Sequence, residues 1–287
     1  MNLFIPVITM GLIAFVLSVG LFFAYKKLKV AIDPRLEEIA EILPQANCGA
    51  CGFAGCQALA EALVAGQAEP NACPVGGNEV ATRLAAILGV ESSAVIKKVA
   101  RLHCRGHYEA APVRSLYVGV STCFAAHLLG GYKLCTYGCL HLGDCVRACQ
   151  FEAMVIGQDG LPLIDEQKCT GCGKCVEACP RGLLELHPVE RNIFVFCRSL
   201  DRPAVSRKVC KNACIACNIC VRACPEAIIM ESNLARIIDW KKIPVEKIPA
   251  IEKCPTGAIS RLKKEIMAVE VKKTEPQDER RSYCYEN

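Results

Sequence analysis

The chain has 287 residues, a formal charge of +5, 52% hydrophobic side chains, 6% aromatic ones and 22 cysteines. Its length suits about two domains, and its apolar content excludes collagen-like and disordered classes. Cysteine at roughly 8% approaches the density of small disulfide scaffolds, yet these cysteines fall in tight groups along a long chain.

In chain order, residues 1–25 read as a transmembrane anchor. No charged side chain occurs from Met1 to Tyr25, and Leu3 to Ala24 is almost wholly apolar. A helix of about 20 residues rises about 30 Å, enough to cross the hydrocarbon layer. Pro6 and Gly11 are tolerated in such a helix. Lys26, Lys27 and Lys29 follow at once, with nothing basic before the segment and no small-residue cleavage site after it, so a secretory signal is not expected. The positive-inside rule places the lysines and the bulk of the chain in the cytoplasm. A buried core helix is the alternative, opposed by length and lack of charge. In a reducing compartment clustered thiols read as metal ligands rather than disulfides.

Residues 26–44 read as a linker helix. Asp33 caps it, Pro34 opens it, and Leu36, Ile39, Ala40 and Leu43 share one face before Pro44 stops it. Residues 45–100 hold a four-cysteine domain, Cys48-x2-Cys51-x4-Cys56-x16-Cys73, with Ala/Leu-rich helices over 57–65 and 78–88. Gly49, Ala50, Gly52, Ala54 and Gly55 are small enough to let backbone N–H groups approach cluster sulfurs. Zinc remains the alternative metal there. Residues 101–133 read as a connecting segment with strand character around Val118 to Val120. Residues 134–190 read as a two-cluster ferredoxin-like module and 191–262 as a degenerate one with a single cluster. Residues 263–287 form a charged tail, with Cys284 as an exposed free thiol.

The repeat in the second half is the strongest organising signal. Cys145-Val-Arg-Ala-Cys149, Cys175-Val-Glu-Ala-Cys179 and Cys220-Val-Arg-Ala-Cys224 share one frame, and Cys254-Pro-Thr-Gly-Ala-Ile repeats the ending alone. In Cys169-x2-Cys172-x2-Cys175-x3-Cys179-Pro180, bacterial-type ferredoxin spacing gives three thiolates to one [4Fe–4S] cluster, while the fourth cysteine serves a neighbour. Zinc sites more often pair separated C-x2-C units. The neighbour of Cys179 is then expected on Cys135-x3-Cys139-x5-Cys145, and Cys149 completes the set of Cys169, Cys172 and Cys175. Gln150 stands where proline is usual, and His141 inside the expanded loop reads as a bystander. The third run, Cys214, Cys217 and Cys220, is expected to take Cys254 as its fourth ligand. Counting back from Cys254 lands on Pro244, Lys247 and Ala250, which cannot bind iron, so Cys224 has no cluster to complete. Four clusters use sixteen cysteines. Cys104, Cys123, Cys197, Cys210, Cys224 and Cys284 default to small buried hydrophobes, with Cys210 the one suspected of metal contact. His103, His107, His127 and His187 show no ligand spacing.

Together these features resemble the B subunit of the Rnf complex, a membrane-bound ferredoxin:NAD oxidoreductase that couples electron flow to ion transport. The resemblance rests on the N-terminal anchor, Cys48-Gly-Ala-Cys51-Gly-Phe-Ala-Gly-Cys56 with Cys73-Pro74, the ferredoxin-like runs, and Tyr137-Gly-Cys-Leu-His-Leu-Gly-Asp-Cys145. It implies an electron-entry arm that meets ferredoxin and passes electrons to other subunits of the complex, without flavin or nucleotide of its own. The chain departs from the family at Pro244, Lys247 and Ala250, where longer members can carry another cluster.

The expected class is therefore α+β: one transmembrane helix, a small helical iron–sulfur domain, and ferredoxin-like modules. The expected function is a relay anchored in membrane lipid. No phosphate loop, nucleophile–base pair or carboxylate pair stands out. An oxidised cluster with four thiolates carries roughly −2, so four change +5 to about −3, which argues against nucleic acid as a partner. Arg202, Arg207, Lys208 and Lys211 form a local basic run that suits an electron donor, or simply a solvated face. The alternatives are an electron-delivery component of a corrinoid or other redox enzyme, and a multi-zinc scaffold.

Overall fold

A computed structural model describes residues 4–28, 33–91 and 93–262. Lys29 and the expected charged tail with Cys284 lie outside the described residues.

Helix α1 (Phe4–Leu28) is apolar all round, and its described side chains from Phe4 to Lys27 are exposed. Its stretch Val7–Lys27 has a mean hydropathy of 2.5, long and apolar enough to cross a membrane. A helix with no polar face has no soluble surface to present, so it needs an apolar surrounding. It extends past the expected end at residue 25 to include Lys26 and Lys27 in its last turn.

Helix α2 (Pro34–Ile42) starts where a carboxylate and a proline dictate. Asp33 accepts the N–H of Arg35 at 2.9 Å, and Pro34 occupies the first turn, where its missing N–H costs nothing. Helices α3 (Cys56–Val64) and α4 (Gly77–Leu88) follow, α4 ending on left-handed Gly89. Ile39, Leu43, Leu59, Leu63 and Leu84 form one buried core, and Cys56 and Cys73 belong to it. The four-cysteine domain thus folds around its own thiols.

The remainder is a tandem repeat with one element order. The first copy runs β1 (Lys98–Leu102), α5 (Cys123–Leu128), α6 (Asp144–Arg147), β2 (Met154–Ile156), β3 (Pro162–Ile164), α7 (Lys174–Glu177) and β4 (Leu184–Pro188). The second runs β5 (Ile193–Val195), α8 (Pro203–Val209), α9 (Ile219–Ala223), β6 (Ile228–Glu231), β7 (Leu234–Ile237), α10 (Ile248–Ile251) and β8 (Ile259–Arg261). In each copy the first strand pairs antiparallel with the last and the middle strands form a hairpin. Val99 lies opposite His187, and Val195 opposite Ile259.

This frame changes the reading of residues 101–133. Strand β1 begins at Lys98 and closes the first copy against β4, so the segment that follows is a loop and helix of that copy rather than a connector. No strand forms at Val118 to Val120, where both valines are exposed; a lone β-branched pair without a partner edge gains nothing from extension.

Two-stranded sheets are marginal alone. Phe194 on β5, fully buried, joins the copies. Its ring meets His103 and His187 edgewise or tilted, with the Arg101 and Arg191 guanidinium groups 5.7 and 4.8 Å from its centroid. Arg101, itself buried, pairs with Glu166 at 2.6 Å. Phe194→Ala should cost about 3–5 kcal/mol, read as a lower urea midpoint for the ferredoxin-like half; an unchanged midpoint would show that the ring is not what holds the copies together.

Candidate metal centres

The N-terminal site is one cavity lined by Cys48, Cys51, Cys56 and Cys73 with Gly49, Gly55 and Leu59. Left-handed Gly49 and Gly52 turn the loop, and the Asn47 carboxamide oxygen accepts the Cys56 N–H at 2.9 Å, fixing the start of α3. Gly55 must lack a side chain, since a Cβ there would stand 2.9 Å from that oxygen.

A second cavity is lined by Cys149, Cys169, Cys172 and Cys175, with Ala100, Phe151, Met154 and Leu186 forming its apolar wall. Structure brings together the four thiols that the spacing grouped. The Ala100 N–H points at Cys169 Sγ, 3.5 Å away.

The third cavity departs from expectation. Its cysteines are Cys123, Cys139, Cys145 and Cys179, with Leu102, Leu140, Ile156 and Leu184 around them. Cys135, expected beside Cys139 and Cys145, is not among the lining residues. The reason lies in the loop. Gly171 and Gly173, His141 and Gly143, and Ala216 and Asn218 all have positive φ, two and four residues after Cys169, Cys139 and Cys214 respectively. The three loops are therefore one backbone shape, in which Cys139 matches Cys169 and Cys145 matches Cys175. Leu142 then stands where Cys172 and Cys217 stand in the other loops. A fourth thiol lines the cavity from elsewhere: Cys123, in the first turn of α5. Asp144 locks it there, accepting the N–H groups of Cys123 and Phe124 at 2.9 and 3.0 Å. The sequence held half of the signal: aligning the loops on the Cys-Val-x-Ala-Cys frame that ends each puts Leu142 opposite Cys172 and Cys217, but does not point to Cys123.

The fourth set is Cys214, Cys217, Cys220 and Cys254. Burial first, then the neighbouring thiols Cys214, Cys217 and Cys254, push the Cys220 thiol up to about 11. Burial also works against ionisation of Cys254, but the N–H groups of Ile259, Thr256 and Ala258 and the Thr256 hydroxyl outweigh it and hold that thiol below its ordinary value. Cys224 turns the other way. It is buried in a core with Ile228, Ile243, Ile248 and Ile251, beside the positions of Pro244, Lys247 and Ala250. Isoleucines fill the space that the matching cavity of the first copy keeps for Cys149, Cys169, Cys172 and Cys175.

The donor sets suit a polynuclear cluster better than a single ion. Four thiolates around one zinc at about 2.3 Å would stand about 3.8 Å apart. Among the described residues, the group with three candidate ligand atoms within 4.8 Å of one another is His103, Glu185 and His187, with no cysteine in it. That group is an ion-pair network: Arg198 pairs with Glu185, and Arg191 lies 3.2 Å from His187 Nδ1. The His187 hydrogen bond, followed by the Arg198 and His103 charges, holds Glu185 down at about 2 despite partial burial. In the cysteine sets, burial leads every upward shift. It takes Cys145 and Cys175 to about 12, helped by Cys123 and Cys179 in one case and by Cys169 and Cys172 in the other. His141 is half-buried and donates its backbone N–H to Cys139 Sγ at 3.4 Å, while its ring meets Gly106 O and Lys133.

Residues 43–75 match the family described as "Putative Fe-S cluster" and residues 162–185 match the "4Fe-4S binding domain" family. The chain is thus an iron–sulfur protein of ferredoxin-like construction with an N-terminal apolar helix. It is 45% identical over 258 residues to the B subunit of the Na(+)-translocating ferredoxin:NAD(+) oxidoreductase complex of Acetobacterium woodii, covering 89% of this chain and 77% of that one. It is 38% identical to the B subunit of the proton-translocating ferredoxin:NAD(+) oxidoreductase complex of Clostridium ljungdahlii, covering 88% and 90%. It is also 41% identical to the B subunit of the ion-translocating oxidoreductase complex of Methanosarcina acetivorans, covering 69% and 76%. The chain belongs to this family of B subunits.

The placement of Cys123 gives a direct test. Asp144→Ala removes two charge-assisted bonds to α5 together with the Arg147 ion pair and should cost about 1–3 kcal/mol, with faster alkylation of Cys123 than of Cys56; equal protection of Cys123 in both forms would show that α5 is held by other means.

Proposed function

We propose that this chain takes electrons from a reduced ferredoxin on the cytoplasmic side and hands them to other subunits of a membrane-bound, ion-translocating ferredoxin:NAD oxidoreductase, with [4Fe–4S] clusters held by the four cysteine sets above. In that assignment Cys123 takes the place first expected for Cys135. A [4Fe–4S] cluster, when bound, supplies reversible one-electron chemistry at a potential set by charge, hydrogen bonds and exposure.

The observation that carries this reading is that the sets adjoin one another. Burial first, with the nearby Cys48 thiol adding to it, holds the Cys172 thiol above its ordinary value, so the N-terminal site lies near the second. Cys175 of the second set acts on Cys145 of the third, and Cys149 and Cys179 exchange the two sets across α6 and α7. The protein's own part is to hold sixteen thiolates, to aim N–H donors at sulfur, and to keep water away. Leu183 donates its N–H to Cys179 Sγ at 3.4 Å, and the lining leucines and Ile156 form an apolar wall. Fixed dipoles and dry walls of this kind reduce the rearrangement that accompanies a change of charge.

Helix α1 supports a single-pass anchor, with Lys26 and Lys27 at its cytoplasmic end. Arg202, Arg207, Lys208 and Lys211 are all exposed around α8 and give a negatively charged donor a place to dock. The family names support the complex and the donor.

Reduced ferredoxin should bleach the visible absorption of the purified protein, and Arg207→Glu with Lys208→Glu and Lys211→Glu should slow that bleaching about tenfold at low salt and weaken its salt dependence. Absorption left unchanged by reduced ferredoxin would remove the donor, and an unchanged rate in the variant would remove the docking face. Deleting residues 1–28 should release the protein from membranes; retention there would place the anchor elsewhere.

A further inference from the structure

The four sets leave six cysteines, and the tandem repeat relates four of them, Cys104, Cys135, Cys197 and Cys210, in two pairs. Cys104-Arg105-Gly106 follows β1, and Cys197-Arg198-Ser199 follows β5. Lys133-Leu134-Cys135 precedes Cys139 by the same spacing with which Lys208-Val209-Cys210 precedes Cys214. The hydrogen bonds repeat as well. Cys104 Sγ accepts the N–H of Gly106 at 3.3 Å and of Cys139 at 3.4 Å. Cys197 Sγ accepts the N–H of Ser199 at 3.4 Å and of Cys214 at 3.3 Å.

The two pairs meet at the joint between the copies. Cys135 and Cys210 are buried in one cluster with Ala110, Ala111 and Ala213, and Cys197 packs against it. A Cβ at Gly106 would lie 3.4 Å from Cys104 Sγ, 3.7 Å from Cys210 Sγ and 3.1 Å from Ala111 Cβ, so the small residues there leave the sulfurs close to one another. Lys211 N donates to Ala110 O, and Asn212 donates to Arg105 O, each tying one copy's cysteine loop to the other's.

Beside them lies a buried amine with no carboxylate partner among the described residues. Lys133 is 2% exposed, with its ammonium 2.9 Å from Gly106 O and 3.1 Å from His141 Nε2. No carboxylate pairs with it among the described residues. A buried ammonium is costly unless negative charge stands near it. Four neutral thiols offer none.

We propose that Cys104, Cys135, Cys197 and Cys210 hold a fifth [4Fe–4S] cluster, seated between the two ferredoxin-like copies. Resting on the iron–sulfur reading above, this site takes four irons and four sulfides, and its four thiols release four protons. The assembled group carries about −2, which compensates Lys133. Its position also joins the relay. Cys104 is hydrogen-bonded to the backbone of Cys139 in the third set, and Cys197 to that of Cys214 in the fourth. The fourth set is thereby the next stop after the third, through this site.

The test is iron and acid-labile sulfide in the full chain, reconstituted anaerobically to saturation in detergent. The expected content is about twenty irons per chain. Cys197→Ala with Cys210→Ala should lose about four of them and keep the rest, while Cys224→Ala should lose none. About sixteen irons in the saturated native chain, or a double variant that keeps the native content, would overturn the fifth site and leave the relay reading standing. An iron-free chain would overturn both. Should the double variant fail to fold, the native stoichiometry decides.

Discussion

Within seven residues a ferredoxin-like loop must turn thiols from a strand-like run and a helix towards one point, and the backbone cannot do this with ordinary right-handed geometry alone. Two left-handed positions, spaced two residues apart, make the turn. Gly171 and Gly173 adopt it without cost; His141, Ala216 and Asn218 adopt it with side chains present. The second left-handed residue in each loop caps the short helix that carries the next cysteine. Everything else in the ferredoxin-like half follows from that constraint. The four- and five-residue helices are too short to persist alone, the two-stranded sheets are too small to stand alone, and the sulfurs sit at the centre of what core there is.

This makes the cluster a substitute for apolar side chains, and the second copy shows the exchange. Where Cys149, Cys169, Cys172 and Cys175 line a cavity, the matching region around Cys224 is packed with Ile243, Ile248 and Ile251. Pro244, Lys247 and Ala250 stand at the three matching positions of the second copy, whose β5–β8 frame is intact. Side-chain volume took over the task, and Cys224 remains as a small buried hydrophobe, its thiol facing the Lys242 carbonyl at 3.8 Å.

Much of this was legible in the residues. Asp33 and Pro34 announced α2, the apolar run announced α1, and the C-x2-C-x2-C-x3-C spacings grouped Cys169, Cys172 and Cys175 with Cys149, because such ligands are local or follow a fixed repeat. Cys123 was not legible by the same rule. It reaches its cavity from more than twenty residues before Cys145, held by the Asp144 carboxylate rather than by spacing. Counting cysteines backward from Cys145 selected Cys135 instead, since nothing in a count registers that Leu142 occupies a ligand position. The role of residues 101–133 was hidden for a related reason. The partner of β1 is β4, some 85 residues on, and long-range pairing leaves little trace in local composition.

In the proposed assignment, thiols drawn from distant segments hold polynuclear iron, with Cys123 and not Cys135 completing the set of Cys139, Cys145 and Cys179 that line one cavity. Anomalous scattering at the iron edge, from crystals grown without oxygen, addresses this most directly. Compact multi-iron density is expected inside each cysteine set, with the density beside Cys145 bonded to Cys123. Single-atom peaks, or a bond from that density to Cys135, would contradict it.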